Sequence, residues 1–142
     1  LSPDQSLEKS GISNNNRSCV LQIQYKNQTI ILPGDIEAEV ERQLQKDKKI
    51  AQPITLLVAP HHGSKTSSTP SFVRTLKPEH VVFSAGYKHH FGHPAAAVVA
   101  RYQGEESALW NTSEHGAIEF TWDKQGYLHV MSTRRAKKRY WY

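Results

Sequence analysis

The run "ITLLVA" at residues 54–59 constrains the fold more than any other feature of this chain. It is short, β-branched and apolar at successive positions, so both of its faces need to be buried. Such a strand lies in the interior of a sheet with layers on either side, as in α/β proteins. The polar segment "PHHGSKTSS" follows it directly and carries two imidazoles, a glycine and several hydroxyls out of the strand end.

Strand and helix signals alternate through the rest of the chain. "SCVLQIQY" and "TIILP", joined by "KNQ", predict a β-hairpin in which Cys19 is a small buried thiol. An amphipathic helix is predicted from residue 36 to residue 49. A second helix is capped by Thr69, and a third opens at Pro94. "HVVFSA", "SALW", "GAIEFTW" and "YLHVM" predict the remaining strands, with a turn at "DKQG". The order indicates an α/β fold with a mixed sheet and flanking helices.

The length of 142 residues allows one domain or part of a larger one. We divide the chain into an irregular lead-in at 1–17, a folded region at 18–132 and a basic tail at 133–142. No apolar run is long enough for a membrane span, and the first residues lack signal-peptide features, so we expect a water-soluble piece. The net charge of +5 and the tail "RRAKKRYWY" favour an anionic partner such as DNA, although a solvated terminus explains the tail equally well.

Polar side chains follow three of the predicted strands, where loops in α/β sheets carry function. In "ILPGD", a glycine lets the chain turn and present the Asp35 carboxylate at the rim of the sheet. The alternative is that Asp35 caps a helix beginning at Ile36. In "PHHGS", an extended backbone would point His61 and His62 in opposite directions, so one would bind a zinc or manganese ion and the other would touch substrate or the groups around the metal ligands.

The third strand end is "KHHFGHP", where His93 could bind phosphate or donate a proton. A zinc site formed by His93 with His89 or His90 is an alternative. Two further groups of candidates are substrate-binding residues. Ser64 and Lys65 could contact phosphate oxygens, although a hydroxyl-rich loop that caps the next helix explains them too, and His115 could face the same rim.

Four segments together, "NNNRSCVLQIQYKNQTIILPGD", "LLVAPHHGSKTSS", "VVFSAGYKHHFGHP" and "LWNTSEHGAIEF", resemble the C-terminal metallo-β-lactamase-like domain of the ComEC family of DNA-internalisation competence proteins. The resemblance covers residues 14–122. It implies the second half of a metallo-β-lactamase-type αββα sandwich. It also implies that Asp35 is a bridging metal ligand and His61 a second ligand, with His62 and His93 as catalytic residues in the same active site.

The resemblance further implies a metal-dependent nuclease that degrades the DNA strand not carried across the membrane. The intact domain would hold two divalent ions, zinc or manganese, and no organic cofactor. The family's primary motif, H-x-(H/D)-x-D-H, is absent from these 142 residues. We therefore expect the parent domain to be a hydrolase and this chain by itself to be inactive and metal-free, with the N-terminal half of the domain and the ComEC channel as partners. The implied location is a soluble domain of a bacterial inner-membrane protein. The alternatives are a DNA-guiding module without catalysis, or a hydrolase of a small phosphoester.

Overall fold

The structure, a computed structural model, describes residue 1 and residues 13–87 and 92–136. The strands are β1 (Leu21–Tyr25), β2 (Gln28–Leu32), β3 (Leu56–Val58), β4 (His80–Phe83), β5 (Ala108–Asn111), β6 (Ile118–Trp122) and β7 (Leu128–Ser132). The α-helices are α1 (Ala38–Lys46), α2 (Pro70–Leu76), α3 (Ala96–Gly104), α4 (Thr112–His115) and α5 (Thr133–Ala136). Short 3-10 turns occupy Asn15–Arg17 and Pro60–Gly63. Within the described ranges, no helix is both long enough and apolar enough to cross a bilayer.

The main sheet has five strands in the order β1-β2-β3-β4-β5. β1 is antiparallel to β2, and the other neighbours run parallel, so the sheet is mixed as predicted. Strands β6 and β7 form a separate antiparallel hairpin, whose turn is closed by the Gly126 N–H donating to the Asp123 carbonyl at 3.0 Å. The architecture is a mixed α/β sheet flanked by helices, consistent with half of a metallo-β-lactamase sandwich.

The hydrophobic core lies on one face of the main sheet. Its strand residues Ile31, Leu57, Val81 and Phe83 are each at most 1% exposed. They pack in one cluster with the apolar faces of the first three helices, contributed by Val40, Leu44, Phe72, Val73, Leu76, Val98 and Tyr102. Right-handed connections between successive parallel strands place all three helices on the same side. Residues that alternate with the core strand residues therefore lie on the opposite face of the sheet.

The opposite face is only partly covered. Near β4 and β5, the ring of Phe120 from the hairpin packs 5.6 Å from His80 and 6.0 Å from Trp110. At the other edge, Leu21 is 52% exposed and Ile23 is 42% exposed. The expected layer on either side of the central strands is thus complete on the helix side and partial on the other.

Three predictions need correction. Cys19 is exposed, because it lies just before edge strand β1 on the poorly covered face. Helix α1 begins at Ala38 and not at residue 36, since Glu37 is extended with φ −114° and ψ −179°. Helix α3 begins at Ala96 and not at Pro94, since Ala95 is extended with φ −66° and ψ 135°. The prediction of a Thr69 cap is confirmed, because its hydroxyl accepts the Phe72 N–H at 3.3 Å.

Candidate functional site

Asp35 and three histidines line one cavity of about 320 Å³ at the edge of the main sheet. We call it the histidine cavity, and its lining consists of Asp35, His61, His62, Ser84, Ala85, Gly86 and His93. These residues follow β2, β3 and β4, which are parallel neighbours, so the carboxyl ends of the three strands meet at the same edge. The sheet therefore brings together four of the residues selected from the sequence.

Backbone hydrogen bonds join the three loops around the cavity. The His61 N–H donates to the Gly34 carbonyl at 3.0 Å, which links the "HHG" loop to the "PGD" corner. The Ala95 N–H donates to the Gly63 carbonyl at 2.9 Å, which links the same loop to the chain after His93. Gly63 has φ +82°, and a Cβ there would lie 2.8 Å from the side chains of Phe83 and Pro94. Only glycine fits this position without displacing the loop.

The two consecutive histidines adopt a left-handed backbone. His61 has φ 47° and His62 has φ 56°, a conformation that is uncommon for residues other than glycine and that tends to occur at functional sites. The expectation of an extended backbone with opposite side-chain directions is wrong, because two successive left-handed residues turn both imidazoles into the histidine cavity.

His62 is the imidazole nearest to Asp35. Its Nδ1 lies 2.8 Å from the Ser84 carbonyl oxygen, and because a carbonyl can only accept, Nδ1 is the protonated nitrogen. Its Nε2 lies 3.4 Å from Asp35 Oδ1. In the neutral imidazole this Nε2 holds a lone pair, so two electron-rich atoms face each other. They attract each other only when a proton or another cation is shared between them.

His61 is held on its other side by a carboxylate. Its Nδ1 lies 3.3 Å from Thr66 Oγ1 and 3.6 Å from Glu37 Oε1. Partial burial would raise the pKa of the Glu37 carboxyl, but hydrogen bonds from three neighbouring polar side chains and the adjacent His61 hold that pKa below its ordinary value. A carboxylate behind an imidazole fixes the ring orientation and leaves Nε2 for a ligand. Sequence reasoning missed Glu37.

The Asn-rich segment before β1 holds the corner that carries Asp35 and Glu37. The Ser18 hydroxyl accepts the Asp35 N–H at 3.1 Å, and the Asn16 side-chain oxygen accepts the Glu37 N–H at 2.7 Å. The alternative of Asp35 as a helix cap is wrong, because α1 begins three residues later. The sequence signal for this role is the run "NNNRS", since asparagine and serine side chains often bond nearby backbone groups.

The other candidate residues lie at different distances from this cavity. The ring of His93 lies 6.0 Å from that of His61. Ser64 is buried, with its hydroxyl 3.1 Å from that of Thr66, whereas Lys65 is exposed. His115 lines a second, adjoining cavity and not the histidine cavity. His89, His90 and residues 137–142 of the basic tail lie outside the described residues.

The donor set accounts for only part of a metal centre. Asp35 and His62 are a carboxylate and an imidazole, the ligand types that suit zinc or manganese. Among the residues that the structure describes, no group of three or more His, Cys, Asp or Glu side chains is arranged to hold a metal ion. A zinc site takes roughly three or four protein ligands. The described part of the chain therefore does not fit a metal ion without further ligands, and Asp35 and His61 as ligands stay predictions.

A buried ionic network supports the loop that follows the histidines. Glu41 of α1 is 0% exposed, and its carboxylate accepts the N–H groups of Ser68 and Thr69, the latter at 2.8 Å. Arg101 of α3 donates to the Ser68 carbonyl at 2.7 Å, and the Tyr102 hydroxyl donates to the Ser68 hydroxyl at 3.0 Å. Burial raises the pKa of the Glu41 carboxyl. This network was not predicted, because its partners come from α1, α3 and the loop before α2, which are far apart in the sequence.

Comparison with known proteins gives relatives over most of the chain. The chain is 33% identical over 135 residues to Competence protein ComA of Neisseria gonorrhoeae. The aligned region covers 94% of this chain and 19% of that protein. It is 32% identical over 108 residues to ComE operon protein 3 of Bacillus subtilis, covering 76% of this chain and 14% of that protein. It is 29% identical over 106 residues to Recombination protein 2 of Haemophilus influenzae, covering 75% of this chain and 13% of that protein. No protein-family model matches the chain.

The fold and the site define a mixed α/β segment with a carboxylate and histidines at one sheet edge, of the kind found in half of a metallo-β-lactamase sandwich. The chain spans about a fifth or less of the length of the relatives it matches. Over most of its own length it is a homologue of these competence proteins, which are members of the ComEC family.

Proposed function

We propose that this chain supplies one side of a metal-dependent phosphodiesterase site in a DNA-uptake protein, and that its substrate is the DNA strand that is not transported. The observation that carries the proposal is the 3.4 Å approach of His62 Nε2 to Asp35 Oδ1 in a cavity also lined by His61 and His93. The relatives named as competence proteins support the DNA-uptake setting. The net charge of +5 suits a polyanionic substrate.

The proposed site is completed by another segment of the parent protein. The exposed apolar face at β1 supports this, because Leu21 and Ile23 are about half exposed on a strand surface suited to sheet-on-sheet packing. The segment with the H-x-(H/D)-x-D-H motif would provide both the covering sheet and the missing ligands. The chain's own part is to present Asp35 and the imidazoles from rigid strand ends.

Divalent ions bound in the completed site would activate a water molecule and polarise the phosphoryl oxygen. The residues of this chain orient the reaction. Asp35 and His62 would hold a cation together, since His62 Nδ1 is occupied by the Ser84 carbonyl and its Nε2 faces the carboxylate. Glu37 holds His61 in a fixed orientation. His93, which lines the same cavity, would hold the proton that the leaving oxygen takes up.

The test uses the intact domain, which contains this chain and the segment with the missing motif. Cleavage of a fluorescent single-stranded oligonucleotide is measured with manganese or zinc, with and without a chelator. Asp35→Asn should lower kcat about a hundredfold or more, since even partners of metal ligands contribute roughly 10- to 100-fold. Asp47→Asn is the matched control, because Asp47 lies at the end of α1 and bonds Gln43 and Lys49.

Two results would count against the proposal. Cleavage that persists in Asp35→Asn would remove the carboxylate from the reaction. An intact domain that binds DNA in a salt-dependent way but never cuts it would instead be a guiding module. Metal content of the His61→Ala and His62→Ala domains, measured by mass spectrometry, then identifies the ligating imidazole, and the geometry favours His62.

A further inference from the structure

A second cavity of about 700 Å³ adjoins the histidine cavity. The two share His93 and Gly86 as a common wall. The second cavity lies between β5, α3 and α4, and its volume is in the range of pockets that hold small organic ligands. A group attached to a phosphate in the histidine cavity could therefore enter the second cavity directly.

The lining of the second cavity combines apolar and polar side chains. The apolar and aromatic ones include Phe83, Val99 and Leu109 together with Trp110. The polar ones include the Gln103 amide, the Glu114 carboxylate and the His115 imidazole. Planar nucleobases bury their faces on apolar and aromatic surfaces, and their edges bond such polar side chains.

None of the described lining residues is Lys or Arg, and Glu114 is the carboxylate among them. Two arginines contact this lining from outside it, since Arg134 donates to the Ser113 carbonyl and the Arg135 guanidinium lies 5.8 Å from the centre of the Trp110 ring. The apolar and aromatic side chains of the lining, and not its charge, therefore favour a base. The carboxylate can accept the amino or ring N–H of guanine or the amino group of cytosine.

Trp110 and His115 are held in place before any ligand binds. The Trp110 indole N–H donates to His80 Nδ1 at 3.2 Å, which fixes the plane of the indole. His115 Nδ1 lies 3.0 Å from both backbone polar atoms of Asn111, so Nε2 is the ring nitrogen that can meet a ligand. Preorganised groups lower the ordering cost of binding.

We propose that the second cavity binds a nucleobase of single-stranded DNA, namely the base next to the phosphate in the histidine cavity. This inference rests on the proposed function for its choice of ligand. It gives His115 a role in holding the base, separate from the phosphate chemistry, and it predicts that bases contribute to binding without any metal.

The test measures binding without metal, so that it does not depend on hydrolysis. Fluorescence anisotropy compares a labelled single-stranded octanucleotide with an abasic deoxyribose-phosphate oligomer of the same length. The chain should bind the oligomer with bases about tenfold more tightly, the scale of one well-placed base contact. Gln103→Trp adds a bulky indole to the lining of the cavity from an exposed helix position and should abolish this difference. Gln125→Trp, in the exposed β6–β7 turn, is the matched control and should preserve it.

Amide shifts in ¹H–¹⁵N spectra give a second readout with deoxyguanosine monophosphate as the probe. Shifts concentrated at Val99, Gln103, Leu109 and Glu114 support the proposal. Equal affinity for the two oligomers, a base preference that survives Gln103→Trp, or shifts located elsewhere would each overturn it. Base binding in a domain that never cleaves DNA would refute the proposed nuclease activity but support the base site. Cleavage of DNA without base binding would support the nuclease activity but refute the base site.

Discussion

Removal of the Glu41 carboxylate should destabilise this chain more than any exposed substitution on the same helix. The carboxylate accepts two backbone N–H groups, from Ser68 and Thr69, and balances the charge of Arg101. Each buried donor left without a partner costs about 1–3 kcal/mol. Loss of one member of a buried ionic network costs about 3–5 kcal/mol. We therefore expect Glu41→Ala to lower the free energy of unfolding by about 3–5 kcal/mol.

The assay is urea denaturation followed by circular dichroism. Glu41→Gln retains one side-chain acceptor and should cost about 1–3 kcal/mol, because one N–H keeps its partner. Glu39→Ala, an exposed change on the same helix, should stay within about 0.5 kcal/mol of the wild type. A loss below about 1 kcal/mol in Glu41→Ala would show that these N–H groups find other partners and would refute the reasoning.

The pH dependence gives an independent check with a defined sign. Burial raises the folded-state pKa of Glu41 above its unfolded value, so the folded state binds the proton more tightly. The stability that Glu41 contributes through this shift is present in full below the unfolded pKa and is lost as pH rises through the folded pKa. The difference in unfolding free energy between the wild type and Glu41→Gln should therefore narrow as pH rises through that window. A difference that widens with pH would show that the hydrogen bonds and Arg101 outweigh burial.

The remaining predictions concern the loop glycine and the exposed sheet face. Gly63→Ala places a Cβ 2.8 Å from the side chains of Phe83 and Pro94 at φ +82° and should lower the free energy of unfolding by about 1–3 kcal/mol. In the control Gly104→Ala, the added Cβ meets nothing within 4 Å, so the free energy of unfolding should change by at most about 0.5 kcal/mol. Equal effects of the two changes in denaturant titrations would contradict the fit argued for Gly63. The double change Leu21→Lys and Ile23→Lys should change the free energy of unfolding by less than about 1 kcal/mol, because both side chains are about half exposed. The same double change should prevent co-purification of the chain with the segment that carries the missing motif. Retained co-purification would show that the missing segment does not cover this face.

The order of strands and helices could be predicted from the sequence because it depends on local periodicity. Three of these signals act over a few neighbouring residues: the alternation of apolar and polar residues in β1, the apolar residues four positions apart in α1, and the Thr69–Pro70 start of α2. The exposure of Cys19 could not be predicted in this way. Its alternation with Leu21 and Ile23 defines a shared face, but whether that face is covered depends on elements far away in the chain.

The same division applies to the candidate site. Asp35, His61, His62 and His93 could be selected from the sequence because each follows an apolar strand. Their presence around one cavity follows from parallel strands whose carboxyl ends meet at one edge. Glu37 and Glu41 gave no such signal, because their contacts are made with loops that come before or after them by more than 20 residues.

The amino-acid sequence by itself determined the α/β element order and the placing of histidines and an aspartate at strand ends, since both follow from hydrophobic periodicity and turn residues. Only the tertiary structure decided that both imidazoles of "HHG" enter one cavity, that His62 is the one facing Asp35, and that His115 lies in the adjoining cavity. The physical reason is that the direction of a loop side chain depends on its backbone dihedral angles. Here those angles are set by long-range hydrogen bonds, such as that from the His61 N–H to the Gly34 carbonyl.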